Sequence, residues 1–323
     1  MRLLASPASL KGVLSAVEAA SALAGGMRRG GAEAVELPVA DGGEGTAEVL
    51  AGVLGGAWRS AEARDPFGRR VEARYLVLDD GTAIVECAEA VGLGLLAPGE
   101  LDPLRASSAG LGELLSEVLA GKPAAVVVCL GGSATVDGGA GLLSSLAAWP
   151  ADVPLRVACD VRNPLLGERG ATRVYGPQKG ASPEAVEELE RRLRGMEALR
   201  PYRDLPGAGA AGGLGAALAC LGGELVAGAE LVLDLIGFDD QARGAALVVT
   251  GEGTVDESTF EGKAPGTVRE RCERLGTRVV LFGGQVTSCY LDAVDVRPLS
   301  GRPERAREDL RALGEELALA LMP

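Results

Sequence analysis

The stretch VVVCLGGSATVDGGAGLLSSLA, residues 126–147, decides the fold class. It begins as a β-branched apolar run, passes through five glycines around Asp137, and ends in a helix-like pattern. Glycine-rich turns between a strand and a helix leave backbone N–H groups free to converge on an anion. The segment therefore predicts a strand–loop–helix unit of an α/β protein whose loop binds a phosphate. It contains no lysine, so a cation must come from elsewhere in the chain.

Similar strand and helix patterns occur before and after this loop. Short apolar strand patterns occur at 1–6, 34–39, 126–130, 246–250 and 278–282, and helix patterns at 15–23, 107–120 and 266–275. Ser15 is a plausible N-cap, with Glu18 three residues later to complete a capping box. Near-continuous apolar strands alternating with helices are typical of a parallel sheet covered on both faces.

The segment 58–89 has a different pattern. RDPFG is a turn, and two alternating strands joined by Asp-Asp-Gly at 79–81 predict an antiparallel hairpin. Residues 182–197 begin with Ser-Pro and are rich in charged residues, a pattern that predicts an amphipathic surface helix. At 323 residues the chain exceeds the size at which single cores stop growing, so we expect two domains.

The composition excludes several classes of protein. A hydrophobic content of 47% and a charged content of 24% are those of a soluble globular protein, and no apolar run is long enough to span a bilayer. A net charge of −13 argues against nucleic acid as a partner. The N-terminus lacks a secretory apolar core, so we expect a cytoplasmic protein.

The sequence limits which side chains can act as acids, bases, nucleophiles or metal ligands. The chain has no histidine, which removes histidine bases, Ser–His or Cys–His nucleophiles and histidine-ligated zinc. Its six cysteines form no CxxC pair, so neither disulfides nor thiolate metal sites are expected. Acid–base chemistry therefore falls to carboxylates or lysine.

Two standard nucleotide motifs fail. The Gly262-Lys263 pair lacks the spacing and the Ser/Thr of a Walker A loop. GAGAAG at 207–212 scans as GxGxxG but follows no strand, and GLGLLA at 92–97 runs into a proline. An NAD(P)-dependent oxidoreductase is accordingly the weakest of the alternatives considered.

Several lysines and carboxylates nevertheless lie near glycines, where they could contact phosphate oxygens or a metal. Three of the four lysines lie beside a glycine, in SLKG, PQKG and EGKAP, although solvated turn lysines would look the same. VADGGEGT (39–46) and VVTGEGTVDE (248–257) place carboxylates in what read as loops after strands. Ligands of open α/β sheets gather at such strand ends, and one or two carboxylates with substrate phosphates can hold Mg²⁺. Ordinary Gly/Asp turn chemistry is the alternative.

Seven motifs in order, SPASLKG, LPVADGGEGT, LGGSATVDGGAG, ACDVRNPLLGERGAT, VYGPQKGAS, LPGAGAAGGLG and TGEGTVDESTFEGKAP, resemble the bacterial glycerate kinase family. The resemblance runs from residue 5 to about 284 and implies ATP- and Mg²⁺-dependent phosphorylation of D-glycerate, typically to 2-phosphoglycerate. It implies two α/β domains, one mostly parallel and three-layered and the other inserted and carrying hairpins, with the active site in the cleft between them. We expect a Rossmann-like domain at 1–57 plus about 245–323 and an insertion at about 58–244, with 105–150 assignable to either. A monomer or homodimer is expected.

The sequence departs from the family pattern in three places. Ala8 and Leu10 replace the aspartate and phenylalanine of the usual APDSFKG, and Thr254 replaces the arginine of TGEGRID. The segment 147–157 is shorter than usual. These departures support an alternative: an impaired kinase homologue that senses glycerate or a nucleotide.

The candidate site residues follow from the motifs and the resemblance. An aspartate must position the attacking hydroxyl because histidine is absent, and an arginine at a helix start suits the substrate carboxylate. The catalytic candidates are Asp137, Asp160, Lys11 and Lys263. The substrate-binding candidates are Arg105, Ser107, Ser108, Asn163, Gln178 and Lys179. The phosphate-binding candidates are Gly131, Gly132, Ser133, Ala134, Thr135, Gly251 and Gly253, and the metal candidates are Asp256, Asp41, Glu252 and Glu44.

Overall fold

The structure, a computed structural model, describes residues 1–97, 99–287 and 295–322. The chain divides into two compact units. Unit 1 comprises Met1–Asp41, Glu48–Leu54 and Ala229–Pro323, and unit 2 comprises Gly42–Ala47 and Gly55–Gly228. Residues 229–244 thus belong to unit 1 and 105–150 to unit 2.

Unit 1 is built on a five-stranded sheet in which every strand pair is parallel. The strands, in spatial order, are β11 (Val296–Pro298), β10 (Val279–Val286), β9 (Leu247–Val255), β1 (Arg2–Ala5) and β2 (Glu33–Glu36). This confirms the parallel sheet that the apolar runs predict.

The helices of unit 1 are α1 (Ala16–Arg29), α2 (Thr46–Leu54), α9 (Gly228–Leu235), α10 (Phe238–Arg243), α11 (Ala264–Leu275) and α12 (Ala306–Ala320). The predicted capping box starts α1: Ser15 Oγ accepts from the Glu18 N–H at 3.2 Å, and a Glu18 oxygen accepts from the Ser15 N–H at 3.0 Å. Helices α1 and α12 cross closely, since a Cβ at Gly26 would lie 1.9 Å from the carbonyl oxygen of Arg311.

Unit 2 contains a mixed six-stranded sheet. In spatial order its strands are β3 (Ala57–Arg64), β4 (Arg70–Val77), β5 (Thr82–Glu86), β6 (Ala125–Cys129), β7 (Leu155–Cys159) and β8 (Glu224–Ala227). β3, β4 and β5 pair antiparallel, and β5 also begins the parallel part, which continues through β6, β7 and β8. The antiparallel hairpin predicted at 58–89 is confirmed, and Asp65 closes its first turn by accepting from the N–H groups of Phe67 and Arg69.

The helices of unit 2 are α3 (Ala88–Val91), α4 (Ala109–Ala120), α5 (Ala140–Ser145), α6 (Ala171–Tyr175), α7 (Pro183–Arg194) and α8 (Ala210–Cys220). Helix α7 confirms the predicted amphipathic helix, with Ser182 as N-cap and Pro183 in the first turn. The core of the unit packs the buried faces of β5, β6 and β7 against α4 and α8.

One local prediction differs from the structure. The GEGTV residues do not form a loop after a strand, because β9 continues to Val255 and pairs with β10 as far as Val286. The five cysteines within the described residues are free, and Cys289 lies outside them. No described helix combines the length and apolarity that a membrane crossing demands.

Candidate active site

Unit 1 contains a cavity of about 310 Å³ beside the carboxyl end of β9. Five of the predicted site residues line it: Lys11, Asp41, Glu252, Gly253 and Lys263. Its lining also includes the apolar residues Leu10, Val13, Leu299, Pro303 and Ala306. Two predicted lysines and two predicted carboxylates therefore line one cavity, which Arg302, Asp309 and several apolar side chains also line.

Glu252 is a partly buried carboxylate of this cavity with two side-chain partners. Its Oε1 accepts from the Thr259 hydroxyl at 2.8 Å, and its Oε2 lies 3.7 Å from Lys263 Nζ. Burial raises the pKa of Glu252, and the negative charges of Asp256 and Asp41 raise it further. A cation in the cavity would be attracted to this group and would favour its ionised form.

Asp256 and Gly251 do not line the cavity. Asp256 begins the short 3₁₀ turn at 257–260, where Oδ1 accepts from the N–H of Ser258 at 2.9 Å and from its hydroxyl. The hydrogen bond from the Ser258 side chain is the main cause of the lowered pKa of Asp256. Gly251 is explained by packing, because a Cβ there would lie 2.2 Å from the carbonyl oxygen of Phe282.

The donor set is compatible with Mg²⁺. Hard carboxylate oxygens are the ligands that Mg²⁺ uses, and one or two of them suffice when phosphate oxygens complete the coordination. Asp41 and Glu252 line the same cavity and supply such oxygens. In the described parts of the chain, no group of three or more Asp, Glu, Cys or His side chains is arranged to hold a metal by itself. A magnesium ion here would depend on the ligand's phosphates.

The predicted phosphate loop lies in unit 2, between β6 and α5, and packs against the 42–47 loop. A Cβ on Gly131 would lie 2.7 Å from the Cα of Gly43, and one on Gly132 would lie 3.0 Å from a carboxylate oxygen of Glu44. Gly132 also has a φ of +67°, which disfavours other residues. The structure thus brings two of the predicted glycine motifs into direct contact.

A buried glutamate holds the 42–47 loop. Glu86, the last residue of β5, accepts from the backbone N–H groups of Ala47 at 2.7 Å and Gly45 at 3.1 Å. Burial raises the pKa of Glu86, and Glu89 and Glu44 add to the increase. We did not predict Glu86 from the sequence, although a charged residue ending the apolar strand TAIVE is a signal that could have identified it.

Lys179 is also buried beneath these loops. It is only 3% exposed, and its Nζ donates to Ser133 Oγ and to the carbonyl oxygen of Thr135, both at 2.8 Å. Desolvation lowers the pKa of Lys179 to about 8, against the opposing attraction of Cys87 and Asp137. The ammonium group of Lys179 is therefore hydrogen-bonded to the phosphate loop itself.

Asp137 connects the starts of α4 and α5. Its Oδ2 accepts from the backbone N–H and hydroxyl of Ser108, both at 2.8 Å, and from the N–H of Gly141 at 3.1 Å. Its Oδ1 accepts from the N–H of Gly139 at 3.0 Å. Ser108 is fully buried, and the Ser107 hydroxyl accepts from the Ala109 N–H at 3.2 Å. Protein donors thus engage both oxygens of Asp137.

The remaining candidates of unit 2 are more exposed. Arg105 is exposed, and its guanidinium lies 5.8 Å from the centre of the Phe67 ring. Asp160 follows β7 directly and is exposed, as is Gln178. Asn163 accepts from the Tyr175 hydroxyl at 2.6 Å and donates to the carbonyl oxygen of Arg169 at 2.7 Å. Arg105 also lines an open depression of about 710 Å³ with Phe67 and Asp102.

The two family departures that concern polar side chains fall on the cavity of unit 1. Ala8 and Thr254 both line it. Their small side chains replace a carboxylate and a guanidinium of the family pattern, so the cavity wall lacks one negative and one positive group. This location is the structural basis for the sensor alternative.

The comparisons with known proteins identify the family of the chain. The model of the glycerate kinase family matches residues 3–153 and 144–297. The glycerate 2-kinase of Escherichia coli K12 is 38% identical, over 89% of this chain and 86% of its own. The glycerate kinase of Bacillus subtilis strain 168 is 33% identical over 99% and 98% of the two chains.

A solved structure extends the agreement to the fold. The crystal structure of a Salmonella typhimurium LT2 protein, provisionally assigned as glycerate kinase 2, superposes with a TM-score of 0.87 at 34% identity. The match covers 99% of this chain and 98% of that chain. From the family model, the relatives and this superposition together, the chain belongs to the glycerate kinase family and is thereby a phosphotransferase.

Proposed function

We propose that the protein catalyses the phosphorylation of D-glycerate by ATP, at the 2-hydroxyl, with Mg²⁺ as the metal. The observation that supports this most directly is the cavity of unit 1, where Lys11, Lys263, Asp41 and Glu252 meet in a chain of this family. Phosphoryl transfer requires cations around the phosphate oxygens and carboxylates for a metal, and little covalent chemistry from the protein.

We assign the polar residues of this cavity to the phosphates of ATP. Lys11 and Lys263 act as point charges toward phosphate oxygens, and Asp41 and Glu252 would hold Mg²⁺. When bound, the metal neutralises part of the charge on those oxygens. Lys263 Nζ lies 3.7 Å from Glu252 Oε2, so the same lysine offsets part of the charge of that carboxylate.

In unit 2 we assign Arg105 to the carboxylate of glycerate and the loop Gly131–Thr135 to phosphoryl oxygens. For the hydroxyl that attacks, we propose Asp160 as the positioning group, because it is exposed directly after the carboxyl end of β7. Both oxygens of Asp137 accept from backbone and serine donors. Asp137 then has the task of joining the starts of α4 and α5.

The experiment is a coupled ADP-release assay with MgATP and D-glycerate. We expect glycerate-dependent turnover in the wild type. Glu252→Gln and Asp160→Asn should each lower kcat at least ~100-fold, a common magnitude for a lost electrostatic or positioning group. Glu316→Gln and Asp152→Asn, at exposed positions, are the matched controls. Full activity in both test variants would contradict the assignment.

The sensor function is retained as a second candidate because Ala8 and Thr254 line the cavity. It predicts that MgATP or glycerate raises the unfolding temperature while no ADP is released. Turnover in the wild type would exclude it. If there is no turnover, Ala8→Asp combined with Thr254→Arg restores the family side chains and should produce it.

A further inference from the structure

Arg302 is a positively charged residue of the unit 1 cavity that we did not predict from the sequence. It lines this cavity together with Lys11 and Lys263. Lys263 lies near the carboxylate of Glu252, whereas the Arg302 guanidinium forms no hydrogen bond or ion pair with any residue that the structure describes. Because Arg302 is exposed, an anionic ligand that enters the cavity can reach its N–H donors.

The backbone of Arg302 is held by the residues around it. Asp309 Oδ2 accepts from the Ser300 N–H at 3.1 Å and from the Ser300 hydroxyl, and Ser300 Oγ accepts from the Arg302 N–H at 3.3 Å. Gly301 has a φ of +72°, which favours glycine, and a 3₁₀ turn follows at 303–305. The turn therefore fixes where the arginine side chain begins and uses none of its guanidinium donors.

Close backbone contacts connect this turn to the strand that carries Thr254. A Cβ on Gly301 would lie 3.5 Å from the carbonyl oxygen of Gly284 in β10. A Cβ on Gly284 would lie 2.7 Å from the carbonyl oxygen of Gly253 in β9. The first and last of these glycines directly precede Arg302 and Thr254, and all three glycines line the cavity with them. The arginine thus enters the cavity from the segment after β11, two strands along the sheet from position 254.

The residue at position 254 gives a second positive group in this cavity a use. Thr254 is exposed and lines the cavity, and it stands where the family pattern has an arginine. A threonine hydroxyl can donate one hydrogen bond but carries no charge, so it attracts a phosphate less strongly than a guanidinium does. Arg302 returns a guanidinium to the same cavity from a different segment of the chain.

We propose that Arg302 binds phosphate oxygens of the nucleotide in this cavity and supplies the positive charge that Thr254 does not. The proposal rests on the proposed function, which assigns the polar residues of the cavity to the phosphates of ATP. A guanidinium presents paired N–H donors that match two phosphate oxygens at once. No covalent step involves Arg302. Since the contact exists both before and during the transfer, its loss should raise the KM for ATP and leave kcat little changed.

The test is Arg302→Met, with Arg311→Met as the matched control at an exposed arginine of α12 outside the cavity lining. We expect Arg302→Met to raise the KM for ATP about 10- to 100-fold and to change kcat and the KM for glycerate less than about threefold. Arg302→Lys should keep part of the affinity, because it retains the charge and loses the paired donors. Adding Thr254→Arg to Arg302→Met should restore ATP affinity, because it returns a guanidinium to the cavity.

Three results would overturn the proposal: an unchanged KM for ATP in Arg302→Met, an increase confined to the KM for glycerate, or no recovery on adding Thr254→Arg. If Arg302→Met does not fold, Arg302→Gln takes its place in the same comparison. If the wild type releases no ADP, the proposed function fails separately, and calorimetry with MgADP then compares the same variants. Equal MgADP affinities of the wild type and Arg302→Met, or no MgADP binding by the wild type, would reject the role of Arg302.

Discussion

The buried ammonium of Lys179 makes a stability prediction that does not depend on catalysis. Its pKa is lowered by desolvation to about 8 in the folded protein, against 10.5 for an ordinary lysine. Below pH 8 both folded and unfolded chains carry the proton. Between pH 8 and 10.5 the unfolded chain keeps a proton that the folded chain has lost, so the free energy of unfolding rises with pH.

The size of this rise follows from the shift. One pKa unit corresponds to roughly 1.4 kcal/mol, so the free energy of unfolding of the wild type should rise by about 2 to 3 kcal/mol relative to Lys179→Met between pH 7 and 10. Cys87 faces Lys179, and burial raises the pKa of its thiol from 9.0 to about 12. Above pH 9 the folded chain keeps a thiol proton that the unfolded chain loses, so Cys87 lowers the free energy of unfolding as pH rises and its effect has the opposite sign.

The assay uses the two tryptophans, Trp58 and Trp149, which both lie in unit 2. Their fluorescence in urea titrations at pH 7, 8, 9 and 10 reports the unfolding of that unit alone. Subtracting the Lys179→Met values removes the titration of all other groups. Lys122→Met, at an exposed lysine, is the control for the loss of a lysine side chain. A constant difference between wild type and Lys179→Met across the four pH values would refute a buried, perturbed ammonium.

Three further predictions test other parts of the molecule. As pH rises above 4.5, the free energy of unfolding of Glu86→Gln should increase relative to that of the wild type, because the raised pKa of Glu86 makes its ionised form unfavourable in the folded state. Urea titrations from pH 4 to 7 measure this difference, and a difference that does not change with pH would contradict the prediction. Gly26→Ala should lower the stability of unit 1 by about 1 to 3 kcal/mol, since its Cβ would meet a backbone carbonyl oxygen. Gly25→Ala, where a Cβ has open space, should stabilise α1 by up to about 1 kcal/mol. Thermal melting followed by circular dichroism compares the two variants, and equal effects would refute the close crossing of α1 and α12. Arg105→Met should raise the KM for glycerate about 10- to 100-fold with little change in the KM for ATP; an unchanged glycerate KM would remove Arg105 from the site.

The sequence predicted the elements of this fold well where pattern and turn chemistry agreed. Both sheets, the 58–89 hairpin, the Ser15 capping box and the Ser182 helix start each depend on local residues or on a simple hydrophobic period. The extension of β9 to Val255 was missed because glycines break the strand pattern. Pairing with β10, which is distant in sequence, determines it.

The motifs that contain the candidate site residues could be predicted from the sequence, but the role of each residue could not. Lys179 and Asp137 both lie in characteristic motifs, but the sequence does not show which way a side chain faces. In the folded chain each is engaged by protein partners, as a brace of one loop and as the link between two helix starts. Glu86 has no motif at all, and only the packing of the 42–47 loop on β5 identifies its function.

The most direct test of the central claim is ³¹P NMR of the purified protein with MgATP and D-glycerate. We predict that the γ-phosphate signal of ATP decreases while one phosphate ester signal appears, split into a doublet by the single proton on C2. A triplet from the two protons on C3 would show transfer to the other hydroxyl and contradict the proposed product. Loss of ATP with only inorganic phosphate, or no loss at all, would contradict a glycerate kinase.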